Sequence, residues 1–162
     1  MTLTTKEILL ARLPRTEGRK ARPYKDIVGK WTVGVGHNIS DKGLPGYAVE
    51  DLLNFGQLTD KSIDRLLADD VDEVLRDTST IKCFDALTNA RKSVLADMVF
   101  NMGLGSVLGF VNTLNFISQG KFSEAADQML KSKWAEQVGN RAIELAKIMR
   151  DGEIKSPSSL VG

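Results

Sequence analysis

The sequence predicts an α+β fold, mostly helical, with a small β-containing lobe near the N-terminus and a C-terminal helical lobe joined by one long helix. Three observations predict it. Trp31, Val33 and Val35 alternate with Thr32, Gly34 and Gly36, a period of two. Ile63, Leu66, Leu67, Val71, Val74 and Leu75 recur at helical spacing over about five turns. Beyond Thr80 the apolar residues keep helical spacing, punctuated by glycines. With 162 residues, 42% apolar and 27% charged, the chain suits one domain, or two small lobes sharing a helix.

The first element is a helix over residues 4–13. Thr4 caps it, Glu7 reaches back to the cap, and Leu3 can staple onto Ile8. Pro14 should interrupt it, since its ring removes a backbone donor and clashes with the preceding turn, leaving Glu17 just beyond the break. The β-containing lobe follows, over about residues 15–58. Its period-two stretch runs from Pro23 to Ile39, with Val28-Gly29-Lys30 as the turn. The large apolar groups face one way, and the face of Thr32, Gly34 and Gly36 leaves room for a bulky ligand near the backbone. A Gly- and Pro-bearing connection from Asp41 to Gly56 holds one short helix at Val49–Phe55.

The connecting helix spans residues 59–78, capped by Thr59 with acids in its first turn. The helical lobe covers residues 80–155, and the N-terminal helix packs on it. Val94–Met102, interrupted only by Asp97 and Asn101, is its buried centre and ends at Gly103 and Gly105. Shorter helices follow at about Phe110–Ser118, Phe122–Lys131 and Asn140–Arg150, stopped by Gly120 and Gly152. The tail from Lys155 to Gly162 should fray.

Charge and cysteine content narrow the function classes. The formal net charge is +1, but Arg12–Lys42 holds eight Lys or Arg against three Asp or Glu, and Asp60–Asp77 three against seven. A basic segment beside a site would suit an anionic polymer such as a cell wall, though solvated surface charge explains any single lysine equally well. No stretch resembles a nucleic-acid recognition helix or an aromatic-studded basic groove, so no nucleic-acid partner is expected. Cys83 is the only cysteine, which rules out an internal disulfide and reads as a small buried hydrophobe. One His and one Cys cannot supply the usual ligands of zinc, and neither a metal nor a cofactor is expected. Ile8-Leu9-Leu10-Ala11 is too short for a signal core or a membrane span. The protein is therefore expected in the cytoplasm, without membrane insertion.

The chemistry concentrates between Thr16 and His37. Glu17, Asp26 and Thr32 place an acid, a second acid nine residues on, and a hydroxyl six residues later around a hairpin. Each has an ordinary reading alone: a loop glutamate, a turn aspartate and a β-forming threonine. Together they offer what cleavage of a glycosidic bond needs. One acid protonates the leaving oxygen, while a carboxylate with a hydroxyl holds a water for attack with inversion. His37, at a strand end, is expected to pair with an acid such as Asp70 rather than act as a base.

Glu17-Gly18, Tyr24-Lys25-Asp26, Gly29 and Thr32-Val33-Gly34-Val35-Gly36-His37 resemble, in residue and spacing, the active-site motif of the phage-type lysozymes. Asp97–Gly103, Gly109–Leu114 and Lys131–Trp134 through Asn140-Arg141-Ala142 are similar to that family's helical-lobe segments, in the same order. The likeness runs from about Glu7 to Gly152. It implies a two-lobed lysozyme-like fold and a muramidase that inverts at the sugar carbon of the β-1,4 bond between N-acetylmuramic acid and N-acetylglucosamine. Glu17 would be the acid, Asp26 the carboxylate that positions water, and Thr32 its helper. Gly36, Asn38, Phe100, Thr113 and Gln128 would contact the sugar, held in a groove between lobes with the long helix as hinge. The expected partner is bacterial peptidoglycan, and the expected state a monomer. A phage or prophage endolysin of this kind would wait in the host cytoplasm until a holin-type protein opens the membrane, then act in the periplasm. The rivals are a lytic transglycosylase, which needs one acid and no positioned water, and an inactive wall-binding protein.

Overall fold

A computed structural model of the chain describes residues 2–154. The tail from Lys155 to Gly162 lies outside the described residues. The elements run α1 (Thr5–Glu17), β1 (Lys20–Lys25), β2 (Trp31–Gly34), β3 (His37–Asn38), α2 (Ile39–Lys42), α3 (Gly46–Phe55) and α4 (Asp60–Thr78). A single 3-10 turn at Phe84–Ala86 precedes α5 (Asn89–Met102), α6 (Leu104–Leu108) and α7 (Val111–Ser118). The chain continues with α8 (Phe122–Leu130), α9 (Lys133–Val138) and α10 (Asn140–Asp151). The fold is the mostly helical α+β fold read from the sequence, with a small three-stranded antiparallel sheet.

Contacts group the residues into two compact units, Leu10–Glu73 and the remainder, so that α1 and α4 each contribute residues to both. In Leu10–Glu73 the sheet order is β1-β2-β3, and β1 is an outer strand. Val33, Val35, Ile63, Leu66, Leu67 and Val71 are buried there. The Tyr47 hydroxyl donates to Asp69 at 2.9 Å under the Arg65 guanidinium, tying α3 to α4. Burial first, then that carboxylate, pushes the Tyr47 phenol up to about 12.

The second unit is helical. Val94, Leu95, Met98, Met129, Leu145 and Met149 form its buried centre, from α5, α8 and α10. Asp97, fully buried on α5, accepts from Arg141 Nε at 2.8 Å on α10, so the charge inside the apolar helix is met by a charge.

Several expectations need correction. Pro14 does not break α1, which continues to Glu17 and closes its last turn with the Gly18 amide on the Pro14 carbonyl at 3.0 Å. Ile8, Leu9 and Leu13 are buried, so core packing of the turns before the proline holds the helix through one missing donor. The capping box stands as read: the Glu7 amide donates to Thr4 Oγ1 and the Thr4 amide to Glu7 Oε1. Strand periodicity stops at Gly34, because positive φ at Gly34 and Gly36 turns the chain back into β3. The ligand space expected on the glycine face is occupied. A Cβ on Gly34 would meet Ile63 and Leu66, and one on Gly36 would lie 3.2 Å from Glu17. Gly105 does not end α5 but lies within α6. Cys83 is half-buried rather than fully buried, and burial pushes its thiol up.

Candidate active site

Glu17 is the last residue of α1, placed there because the helix survives its proline. Its side chain lies against Gly36, which only a residue without Cβ could occupy so closely. The β1–β2 hairpin separates the two in sequence, and the β2–β3 turn brings them together.

Asp26 follows β1. Its Oδ1 accepts the amides of Val28 at 3.0 Å and Lys30 at 2.9 Å, while its own amide donates to the Lys30 carbonyl at 2.9 Å. That is the turn role an aspartate adopts, and it also fixes the carboxylate. Oδ2 receives no donor among the described residues and keeps its lone pairs for a ligand.

Thr32 is the cross-strand partner of Tyr24, so their side chains share a face of the β1–β2 ladder. The Thr32 hydroxyl donates to the Lys30 carbonyl at 3.1 Å, which turns its lone pairs outward as acceptors. Thr32 itself is nearly buried.

Tyr24 joins the three. Its phenol is held above its ordinary value by burial first, then by the negative charges of Glu17 and Asp26. Both charges are therefore felt at the residue paired with Thr32. Sequence reading quoted Tyr24 within a motif but gave it no role. The signal was there: a position two residues before Asp26 on a strand faces the same way as Asp26.

His37 is held structurally. Its Nδ1 lies 2.7 Å from Asp70 Oδ2 and its Nε2 2.8 Å from the Gly43 carbonyl. Burial pushes the imidazole down, but the bonds to Asp70 and Gly43 outweigh it, and the net shift is upward. Lys42 adds a second cation to Asp70 at 2.9 Å. Asn38 caps α2, accepting the Asp41 amide at 2.9 Å and donating to its carboxylate at 3.0 Å.

The other candidate residues belong to the helical unit. Thr113 and Gln128 line one pocket of about 340 Å³ with Phe110, Lys131, Lys133 and Trp134. Phe110 and Trp134 meet edge-to-face at 6.2 Å, and Trp134 Nε1 donates to Asn101 Oδ1 at 2.7 Å. Phe100, half-buried on α5, is not among the residues lining that pocket. Trp134 was missed as a wall residue because α9 is too short to show a helical period. Among the described residues no group of His, Cys, Asp and Glu could hold a metal ion.

Comparison with known proteins adds an independent line. The sequence model described as phage lysozyme matches residues 14–150. The chain is 28% identical over 156 residues to probable T4-type lysozyme 1 of Dictyostelium discoideum, covering 86% of this chain and 92% of that protein. It is 26% identical to probable T4-type lysozyme 2 of the same organism, over 86% and 91%. It is also 26% identical to the pre-baseplate central spike protein of Enterobacteria phage T4, over 89% of this chain and 28% of that protein.

Proposed function

The chain belongs to the phage lysozyme family and is a glycoside hydrolase of lysozyme type, and from that premise we propose that it cleaves the β-1,4 bond between N-acetylmuramic acid and N-acetylglucosamine in peptidoglycan, with inversion. The observation that carries this reading is Glu17 packed against Gly36 just after β2, with Thr32 on β2 paired to Tyr24 and Asp26 fixed at the end of β1. Glu17, as the neutral acid, protonates the glycosidic oxygen while the bond from the sugar carbon breaks. Asp26 Oδ2 and the Thr32 hydroxyl hold a water on the opposite face of the ring, which attacks as Asp26 takes its proton. The cation-like sugar carbon is thus approached from the side away from the leaving group. Glu17 ends as a carboxylate and Asp26 protonated, and solvent returns a proton to Glu17 and takes one from Asp26.

Gly36, Asn38, Phe100, Thr113 and Gln128 are the residues we assign to sugar contact. The enzyme acts as a monomer on the wall of its host, after a separate protein opens the membrane. A second deployment, on a virion, is favoured by the likeness to the spike protein; an immunoblot of purified particles decides between them.

Proton NMR of the first product formed from a soluble wall oligosaccharide tests the chemistry. Inversion of a β bond yields the α anomer first. An initial β anomer means retention, and would remove the water-positioning role from Asp26 and Thr32.

A further inference from the structure

The β1–β2 hairpin carries a feature that sugar cleavage does not use. Ile27 is fully exposed and Val28 is 73% exposed, side by side at the tip. Large aliphatics placed outermost on a turn gain nothing from folding and are costly in water. Behind them Trp31 is 47% exposed, with Lys25 Nζ 5.5 Å from its ring centroid. Along the outer strand β1, Lys20 lies over the Tyr24 ring and Arg22 bonds the Gln57 amide. Lys20, Arg22 and Lys25 have no carboxylate partner among the described residues. Of the nearby acids, Asp41 is paired with Lys30 at 2.8 Å and Asp26 turns Oδ1 into the Val28 and Lys30 amides, leaving only its Oδ2 open.

We propose that the β1–β2 hairpin is a docking element for an anionic lipid bilayer, with Ile27 and Val28 entering the headgroup boundary and the positive charge of Lys20, Arg22 and Lys25 along β1 attracting the anionic surface. Charge complementarity selects an anionic surface, and the aliphatic pair selects lipid among anionic surfaces. A wall polymer or other polyanion in water rewards the cations but not Ile27 and Val28. Trp31, partly exposed at the start of β2, is of the residue type that settles at bilayer interfaces. No helix of the described residues is long and apolar enough to cross a membrane, so the contact is a surface one. This inference does not rest on the proposed reaction.

Sedimentation of the full chain with vesicles at physiological salt tests it. Vesicles of equal phosphatidylcholine and phosphatidylglycerol should bind about tenfold or more protein than phosphatidylcholine alone. Ile27→Ser with Val28→Ser should lower that binding about tenfold, and Lys20→Gln, Arg22→Gln, Lys25→Gln should erase the preference for anionic lipid. Brominated lipid should quench Trp31 in the unmodified chain, a readout that needs no variant to fold. Binding that survives the tip variant but not the charge variant would overturn the proposal in favour of a polyanion. Absence of wild-type binding, or a tip buried in a dimer of the chain in solution, would overturn it outright.

Discussion

At the scale of single residues, function depends on positions set by the backbone. Glu17 lies where α1 ends, against the bare Cα of Gly36. Glu17→Gln keeps the shape and removes the acid, so hydrolysis measured by turbidity loss should fall about 10²–10⁴-fold with the circular dichroism spectrum unchanged. Gly36→Ala puts a methyl 3.2 Å from the Glu17 side chain at φ +64°. It should cost about 1–2 kcal/mol in urea unfolding and lower the initial rate as well. The three candidate residues stand out in the sequence because their types and spacing are unusual in combination. The surroundings of Tyr24 were not legible there, since the charges of two carboxylates from different elements act on one phenol. Nor was the filling of the glycine face. A glycine in sequence reports that no Cβ fits, not whether a ligand or the protein's own side chain takes the space.

At the scale of elements, local signals fixed the starts well and the short pieces poorly. The α1 capping box was read from Thr4 and Glu7 alone, and Thr4→Ala should lower stability by about 1 kcal/mol in denaturant titration. Pro14 misled because local sterics predict a break, whereas burial of Leu9 and Leu13 decides otherwise. The helices α2, α6 and α9 span four to six residues and have no room for a period, so they were not seen. The long helix α4 was seen, and with it the tie from His37 to Asp70. The pKa of His37 is raised above 6.5 in the fold, so its stabilising share is complete below that value and is lost as pH rises through the raised one. His37→Gln should therefore cost most in acid, about 3 kcal/mol, and less on the alkaline side. A gap between the two proteins that widens with rising pH would contradict that assignment.

At the scale of the molecule, two units share α1 and α4, and each carries its own buried set. Met98, fully buried in the helical unit, should cost about 3 kcal/mol when cut to alanine, read by thermal unfolding. The fold class was legible because period two and helical periods occupy separate stretches of the chain. The pocket of Thr113 and Gln128 was less so, since the two meet only through the packing of α7 and α8. The central claim is that this chain adds water across a glycosidic bond with Glu17 as the acid. Mass spectrometry of fragments released from purified peptidoglycan, by the wild type and by Glu17→Gln, tests it most directly. The account predicts reducing muramic acid ends from the wild type and none from the variant. Anhydro ends, lighter by one water, or equal release by both proteins, would contradict it.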